Sequence, residues 1–553
     1  MMRLKKALIA ALLAALAVMA CAVFAFADDS VYEEKRIVVS GQNVSDIAYT
    51  IKGSVYISVD AFKAWGDNSR FVIDEDNARI NIDVSKLDAF YGDAETTEFI
   101  KSNAGVCYVP IKSFKDGRWV SLNVMAELAG LSYSLENDTV YIVSKTAEGL
   151  GVITEDTEGA SLSGNVSLSE GTAAYFEGET ASFYKVRTLD GSRLYVAKTA
   201  FRTKAEGSEL PAINYAAKKK ADYSESMINL AWVSASATGV TPLAPEKGMG
   251  IDVLSPRWFD QAVNGDGEVV NNGDKGYVRL AHEHGYSVWA CVTNLYTSTG
   301  STKYTSSVLD NEQLAEGIIA KYLFYSCLYD VDGINVDYED LVSGDREGFT
   351  DFMRTLGYYC GRLGLYSSVD IPGEAGYAQF DYSALGKACD YVVVMSYDYY
   401  YSGSTYAGPV SGYSNYFKGI RNLISYVGDS KRMLMGVPLY AALWSTDSNN
   451  KKVRYSIYRM SALKKLVADN NAVPVWDESA GQYYAQWQSG SYISKIWLED
   501  MRSLAVRIAA ARELGLGGTA CWQMSYAESS DFDIFHQVYK AGVDPATVTP
   551  PFN

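Results

Sequence analysis

The sequence predicts an α/β chain: a (β/α)8 TIM barrel on the C-terminal side, preceded by small α+β and β-barrel modules. Three observations predict it. From Met227 onward, apolar strand-like runs alternate with longer helical patterns, as βα units around a parallel sheet do. Eight such runs fit in about 320 residues, the scale of one elaborated barrel. Before Met227 the pattern is different, with short alternating strands, frequent turn residues and a degenerate repeat.

Residues 1–27 read as a signal peptide. Arg3, Lys5 and Lys6 precede an apolar run from Ala7, and Ala25-Phe26-Ala27 offers a small-x-small cleavage site. The expected location is therefore secreted or cell-wall associated. The alternatives are a membrane anchor left uncleaved and lipidation at Cys21, where Val18-Met19-Ala20-Cys21 forms a loose lipobox.

Residues 35–146 hold the repeat. Tyr56-Ile57-Ser58-Val59-Asp60-Ala61-Phe62 aligns with Trp119-Val120-Ser121-Leu122-Asn123-Val124-Met125. Phe71-Val72-Ile73 and Ala78-Arg79-Ile80 align with Tyr133-Ser134-Leu135 and Val140-Tyr141-Ile142. Each copy predicts a strand, a short helix and a hairpin, so that the helix covers one hairpin face. Tandem units of this kind resemble the amino-terminal domain named after copper amine oxidases, common in exported enzymes. No copper is expected, because this stretch has no histidine. The resemblance implies a spacer or wall-attachment module.

Residues 150–206 predict a small β domain from Ala173-Ala174-Tyr175, Ala181 to Val186 and Arg193 to Val196, with turns at Gly178 and Asp190-Gly191. The strand spacing is similar to that of SH3-like barrels. A linker follows over 207–223, its Lys218-Lys219-Lys220 cluster expected to be a solvated surface. The barrel occupies 224–541 and a tail 542–553. Its strands are expected at Ile228–Trp232, Ile251–Ser255, Ser287–Val292, Gly333–Glu339, Leu365–Asp370, Tyr391–Tyr397, Met433–Pro438 and Gly518–Trp522. Helices are expected over Asn311–Tyr325, Arg346–Leu363 and Asp531–Tyr539, and an excursion at the catalytic rim over Val453–Tyr492.

The formal charge is −17, and loss of the leader's three cations would take it to about −20. That disfavours nucleic acid and anionic membranes as partners. The seven cysteines include no Cys-x-x-Cys pair and are expected to be mostly buried free thiols. His282-Glu283-His284 lacks metal-ligand spacing and reads as a helix end before Gly285. P-loop, dinucleotide and serine-elbow motifs are not found in a suitable setting, so no cofactor and no metal are expected.

The chemistry concentrates in Asp332-Gly333-Ile334-Asn335-Val336-Asp337-Tyr338-Glu339-Asp340. Along a strand, alternate side chains share a face, so Asn335, Asp337 and Glu339 would line the barrel interior and rise toward its carboxyl-end mouth. A row of polar groups there is costly as a core and useful as a site. Asp337 and Glu339 would lie about 6.6 Å apart, two strand rises. A glycosidic oxygen leaves poorly unless protonated, and Glu339 beside an ionised Asp337 suits that task. With a 2-acetamido sugar the substrate's own carbonyl can act as nucleophile, leaving Asp337 to orient and stabilise it.

Asp332-x-x-Asn335-x-Asp337-x-Glu339 resembles the Asp-x-x-Asp-x-Asp-x-Glu signature of glycoside hydrolase family 18. Met395-Ser396-Tyr397-Asp398 is similar to that family's Met-x-Tyr-Asp motif, and Trp522 stands where its eighth strand supplies a pocket-floor tryptophan. The likeness spans about 226–540 and is closest to bacterial spore-cortex and cell-wall N-acetylglucosaminidases. Asn294, Gly436-Val437-Pro438-Leu439-Tyr440, Trp476-Asp477 and Ile496-Trp497-Leu498-Glu499-Asp500 add to it. The resemblance implies Glu339 as acid then base, with Asp337 and Tyr397 handling the acetamido group. Asp332, Asn335 and Asp398 would support them, and Trp522 would lie under the sugar. Trp444 and Tyr399 are further candidates for stacking at the rim. Asn335 departs from the family aspartate, and the missing like charge should favour an ionised Asp337. The implied partner is a β-linked N-acetylated glycan, in peptidoglycan or spore cortex; the alternatives are a chitinase and a catalytically silent glycan-binding or spore-envelope protein.

Overall fold

The computed structural model describes residues 32–549 and 552, apart from 145–148, 162–163, 189–191, 204–209, 211, 224–225, 235–249, 262–265 and 295–303. The expected leader, with Cys21, and the Asp190-Gly191 turn lie outside the described residues. The described residues divide into two compact units, one made of those up to 67 and in 112–210, the other of those in 68–111 and from 212 onward.

The first unit holds two seven-stranded sheets. One runs in the order Leu131–Glu136, Thr139–Ser144, Glu33–Val39, Gln42–Ile51, Ser54–Ser58, Gly117–Ser121, Lys112–Phe114. Both repeat copies pass from strand to helix where expected, at Val59–Trp65 and Leu122–Met125. Ser58 starts the first of these helices by accepting a hydrogen bond from the Ala61 amide. The second sheet is antiparallel, spans Leu150 to Thr203 and closes over Ile153, Ala174, Val186, Leu194, Val196 and Phe201. The two hairpins of the repeat part company. Leu131–Ser144 belongs to this unit, while Val72–Asp83 pairs with Val106–Pro110 in the other.

The second unit is built on a closed barrel of eight parallel strands. These are β1 (Ile228–Val233), β2 (Val253–Gln261), β3 (Ser287–Thr293), β4 (Gly333–Asp337), β5 (Tyr366–Pro372), β6 (Tyr391–Met395), β7 (Met433–Pro438) and β8 (Gly518–Trp522). Closure comes from β1 pairing with both β2 and β8. The strands are buried along nearly their whole length, as expected when helices cover the outside and side chains fill the inside. Ile228, Leu230, Trp232, Val253, Trp289, Cys291, Val393, Leu434 and Ala520 form that filling.

All eight strands fall where the sequence places them, with different ends. β2 runs six residues past Ser255 through a bulge between Arg257 and Phe259. β4 stops at Asp337 and β6 at Met395, so Glu339, Tyr397 and Asp398 stand on the loops just beyond. The helix Arg346–Leu363 has the expected bounds, and Glu312–Tyr329 begins at an Asn311 cap and runs one turn further than expected. The last helix is Asp533–Lys540. The helix Lys275–Glu283 ends at His284, before Gly285 at φ +85°.

The expectation of a solvated linker over 207–223 is corrected at its end, because the lysine cluster belongs to the barrel's amino end. Lys218 Nζ lies 2.6 Å from Asp330 and 3.5 Å from Asp332. Lys220 Nζ lies 2.8 Å from Asp390 and over the Tyr366 ring, and Tyr223 bonds Ser287 at 2.7 Å. Acidic residues just before β4 and β6 attract the cations, and Tyr223 extends the interior filling. Residues 68–111 join the same unit. The helix Ala94–Asn103 packs on Arg346–Leu363, with Phe99 stacked on Tyr359 at 3.9 Å and Arg362 bridging Asp93 at 2.9 Å.

The excursion between β7 and β8 is larger than expected. It is a five-stranded antiparallel sheet, Lys452–Arg459, Tyr440–Thr446, Tyr492–Leu498, Gln482–Ser489, Val475–Asp477 in spatial order, with the helix Met460–Asp469. Its return is anchored by a buried ion pair, Glu499 with Arg507 at 2.8 Å, while Asp500 caps the helix Met501–Glu513. All six described cysteines are free thiols, five of them buried.

Candidate active site

The site is assembled at the carboxyl ends of β1–β6 and β8. On β4, Asn335 is wholly buried and its amide orientation is fixed by its neighbours. Its Oδ1 accepts from Trp232 Nε1 at 2.9 Å and from Ser255 Oγ at 3.4 Å. Its Nδ2 donates to Ser368 Oγ at 3.0 Å and to Asp370 Oδ1 at 2.7 Å. Strand register puts Asn335 level with Ser368, so the next inward residues, Asp337 and Asp370, face each other across β4 and β5.

Asp337 is buried, whereas Glu339, two residues on, is exposed at the mouth. The Glu339 backbone is pinned by one side chain. Asn294 Oδ1 accepts from the Glu339 amide at 2.8 Å, and Asn294 Nδ2 donates to the Glu339 carbonyl at 2.7 Å. On the β2 side, Arg257 donates to Asp260 at 3.0 Å and to Thr293 at 2.9 Å, and Thr293 Oγ1 donates to Asp260 at 2.7 Å. Thr293 is level with Asp337, so this network borders the acid pair.

The electrostatics favour protonation. Burial, then the neighbouring Glu339, push Asp337 up to about 7, with Arg257 opposing. Burial, then Asp337, raise Asp370 well above the carboxylate range. Glu339 is raised by its enclosure in the mouth and then by Asp340, with Arg257 again opposing. Burial and Glu339 therefore work against the ionised Asp337 expected from the sequence, and Arg257 works for it. An amide at position 335 does not leave Asp337 without a like-charged neighbour, because Glu339 and Asp260 both raise it.

Tyr397 is half-buried and its titration is affected by Asp337, Asp370 and Glu339 together, so it faces the same space. Asp398, at φ +57°, accepts from Tyr440 Oη at 2.7 Å. Aspartate tolerates that left-handed backbone better than most residues. A Cβ on Gly436 would lie 2.6 Å from Val394 O and 3.0 Å from Tyr397 Cε1, so a side chain there would displace the tyrosine. Trp522 ends β8 half-buried, edge-on to Trp232 with centroids 5.7 Å apart.

Three sequence candidates sit elsewhere. Asp332 lies before β4, at the opposite end of the barrel, about 16 Å from Asp337 by five strand rises. It accepts from the Val288 amide at 2.8 Å and pairs with His282 at 2.7 Å. Burial alone would raise it, but His282 and then Lys218 hold it below the usual value. Trp444 is completely buried and donates to Gly408 O at 2.9 Å, because it alternates with Tyr440 and Ala442 on the inner face of the excursion sheet. It cannot stack on a sugar at the rim. Tyr399 is half-buried and spends its hydroxyl on Gly373 O at 2.9 Å.

Sequence reasoning missed Asp370, Arg257, Asp260, Thr293 and the role of Asn294. Alternation along the fifth strand, Ser368 then Asp370, was the available signal for Asp370. Arg257 lies two residues past Ser255, where the sequence places the end of that strand, and the observed strand runs on to Gln261.

Residues 295–527 match the model of Glycosyl hydrolases family 18. The "Putative sporulation-specific glycosylase YdhD" of Bacillus subtilis is 22% identical over 273 residues, 48% of this chain and 64% of that protein. The cortical fragment-lytic enzyme of B. subtilis is 24% identical over 244 residues, 42% of this chain and 56% of that one. Both shared lengths fall short of two thirds of the relative. The crystal structure of the Bacillus cereus spore cortex-lytic enzyme SleL superposes with a TM-score of 0.50 at 19% identity, over 63% of this chain and 77% of that one, which supports the fold. The matched segment carries β4 to β8 with Asp337, Glu339, Tyr397 and Trp522, and over that segment, residues 295–527, the chain carries a family 18 glycoside hydrolase domain.

Proposed function

We propose that the protein is an exported retaining glycosidase that cleaves β-1,4 bonds next to N-acetylglucosamine, in peptidoglycan or spore cortex, by substrate-assisted catalysis. The observation that carries this reading is the pairing of an exposed Glu339, its carboxyl raised by enclosure and by Asp340, with a buried Asp337 two residues earlier. Glu339 protonates the glycosidic oxygen as the substrate's acetamido oxygen attacks the anomeric carbon. Asp337 holds the acetamido N–H and balances the oxazolinium charge, and Tyr397 donates to the acetamido oxygen. Glu339 then takes a proton from the water that opens the ring, so the β-anomer is released. Trp522 offers an apolar floor. The relatives' names, both tied to sporulation or cortex, favour a wall substrate over chitin. The N-terminal repeat and β domain serve as the wall-attachment part.

Proton NMR of the nascent anomer, with a substrate carrying 2-hydroxyl in place of 2-acetamido, tests the mechanism. We expect β-anomer first and near-inertness of the hydroxyl substrate; an α-product or good turnover of that substrate overturns the reading. Mass spectrometry of products from spore cortex, peptidoglycan and chitin oligomers separates wall hydrolase from chitinase, and absence of cleavage on all three selects the silent binding protein.

A further inference from the structure

We propose that Arg459, on the excursion sheet, binds an acidic substituent on the sugar next to the one over Trp522. It is the residue that distinguishes a wall glycan, with an acid-bearing lactyl ether on alternate amino sugars, from chitin, which has none. The inference rests on the functional reading above and adds a specificity-determining residue to it.

The backbone sets the placement. Trp522 O accepts from the Leu439 amide at 2.7 Å, and Leu439 O accepts from the Met460 amide at 2.9 Å. Tyr440 and Arg459 are partners in register on the neighbouring strands Tyr440–Thr446 and Lys452–Arg459. Residues paired across an antiparallel ladder show their side chains on the same face, so Arg459 stands beside Tyr440. That face is turned to the mouth, because Tyr440 donates to Asp398 at 2.7 Å and belongs to the cluster that takes in Tyr397 and Trp522. Two strand spacings put Arg459 about 10 Å from the Trp522 backbone. That distance passes the ring on the apolar floor and reaches the next one.

The guanidinium is held ready and left unspent. Its carbon lies 5.1 Å from the centroid of the Tyr526 ring, and Tyr526 packs edge-on to Tyr440 at 6.3 Å. Stacking on a ring fixes the plane of the group and leaves its edge of N–H donors open. Arg459 is exposed, and among the described residues no carboxylate or other acceptor uses those donors. Arg257, by contrast, is closed off by Asp260 and Thr293. The exposed carboxyls of the mouth, Glu339, Asp340 and Asp398, repel an anion, so an acidic sugar needs a cation beside them to be seated. A guanidinium edge takes a carboxylate through two parallel N–H···O bonds. Where plain and acid-bearing amino sugars alternate, both neighbours of a plain sugar over Trp522 carry the acid. The match therefore holds whichever way the chain runs through the cleft.

The test uses the full chain and three tetrasaccharides. One alternates N-acetylglucosamine with N-acetylmuramic acid, the second is the same with its lactyl carboxyls amidated, and the third is chitotetraose. Arg459→Gln should lower kcat/KM on the acid roughly tenfold, mainly through KM, a loss between that of an exposed ion pair and that of a hydrogen bond to a charged group. Turnover of the amide and of chitotetraose should change little. Arg459→Lys should recover part of the loss, because it restores the charge without the fork. An equal loss on all three substrates assigns Arg459 to the packing of Tyr526, and no loss on the acid shows that no carboxylate is bound there; either result overturns the proposal. If the variants do not fold, salt decides on the unmutated chain. Its preference for the acid over the amide should shrink as ionic strength rises, and absence of any preference overturns the proposal. Failure of the functional reading looks different: the unmutated chain then cleaves none of the three, or chitotetraose alone, and the proposal falls with it.

Discussion

Glu499 and Asp337 are both carboxyls that burial pushes above the ordinary range, and their surroundings differ in every other respect. Both Glu499 oxygens are fully used: Gln482 donates at 2.7 Å and Arg507 at 2.8 Å to one, Ser503 at 2.8 Å and Arg507 at 2.9 Å to the other. The Arg507 fork makes this a bidentate pair inside the protein. Asp337 has a buried oxygen with no partner among the described residues, and its nearest neighbours include two more carboxyls. The first arrangement fixes a fold element, the return of the excursion into the barrel helix. The second keeps a group unsatisfied until something enters. A raised pKa alone does not distinguish them; the inventory of partners does.

The largest expected effect lies on the catalytic side of that contrast. Glu339→Gln keeps shape and hydrogen bonding and removes the transferable proton, so turnover should fall roughly 10²–10⁴-fold. Substrate binding and the unfolding midpoint should change little, since the lost interaction belongs to the transition state. Steady-state kinetics beside a denaturant melt checks both halves. Glu499→Gln should invert the pattern. It leaves Arg507 buried without its anion, which costs about 3–5 kcal/mol of stability, while the protein that remains folded keeps its kcat. If both variants lost stability and activity together, the division into fold acid and site acid would be wrong.

Asp337→Asn sharpens the comparison through pH. The Asp337 carboxyl sits at about 7 in the fold against an unperturbed 3.8. A raised acid contributes stability fully below the unfolded value and loses it as pH rises through the folded value. Ionising it in place therefore works against the fold, by about 1.4 kcal/mol for each tenfold by which folding tightens its hold on the proton. The variant should gain stability relative to the parent between about pH 4 and pH 7, and lose most of its turnover, because an amide balances the oxazolinium charge poorly. Denaturant melts at several pH values read the first effect; a constant difference across that window would show that Asp337 is not held protonated.

What the sequence disclosed and what it hid follow one physical line. The β4 segment was legible because its chemistry is local: alternation on one strand aligns Asn335, Asp337 and Glu339 without knowledge of anything else. All eight strands were legible for the same reason. Arg257 and Thr293 reach the site only through barrel closure and strand register, which no short window contains; Asp370 is legible by alternation as an inward residue, but its neighbours are not. Trp444 was misread because an aromatic at a rim loop and one on the inner face of an added sheet look alike in sequence. Asp332 belongs to the same motif as the catalytic pair, yet one strand length separates it from them, and its partners, His282 and Lys218, come from a helix and a linker. The lysine cluster was read as solvated because its acidic partners lie more than a hundred residues away.

The smallest expected effect probes whether the excursion belongs with Glu499 or with Asp337. Tyr440 is the first residue of the excursion sheet, and its hydroxyl donates to Asp398 at 2.7 Å. Burial raises the Asp398 carboxyl and Tyr440 holds it back. Tyr440→Phe keeps the ring packing against Tyr397 and Tyr526 and removes only that donor. A hydrogen bond to a charged acceptor is worth about 1.5–3 kcal/mol, so kcat/KM should fall roughly tenfold or somewhat more if a charged Asp398 contacts the sugar. The sign of the pH effect is fixed as well. Without Tyr440, Asp398 holds its proton to higher pH, and the acidic limb of kcat/KM should move upward. An unchanged profile with a lowered melting midpoint would assign Tyr440 to the structural side. A shifted limb at unchanged stability would place the start of the excursion in the site, with its far end, at Glu499, serving only as the anchor.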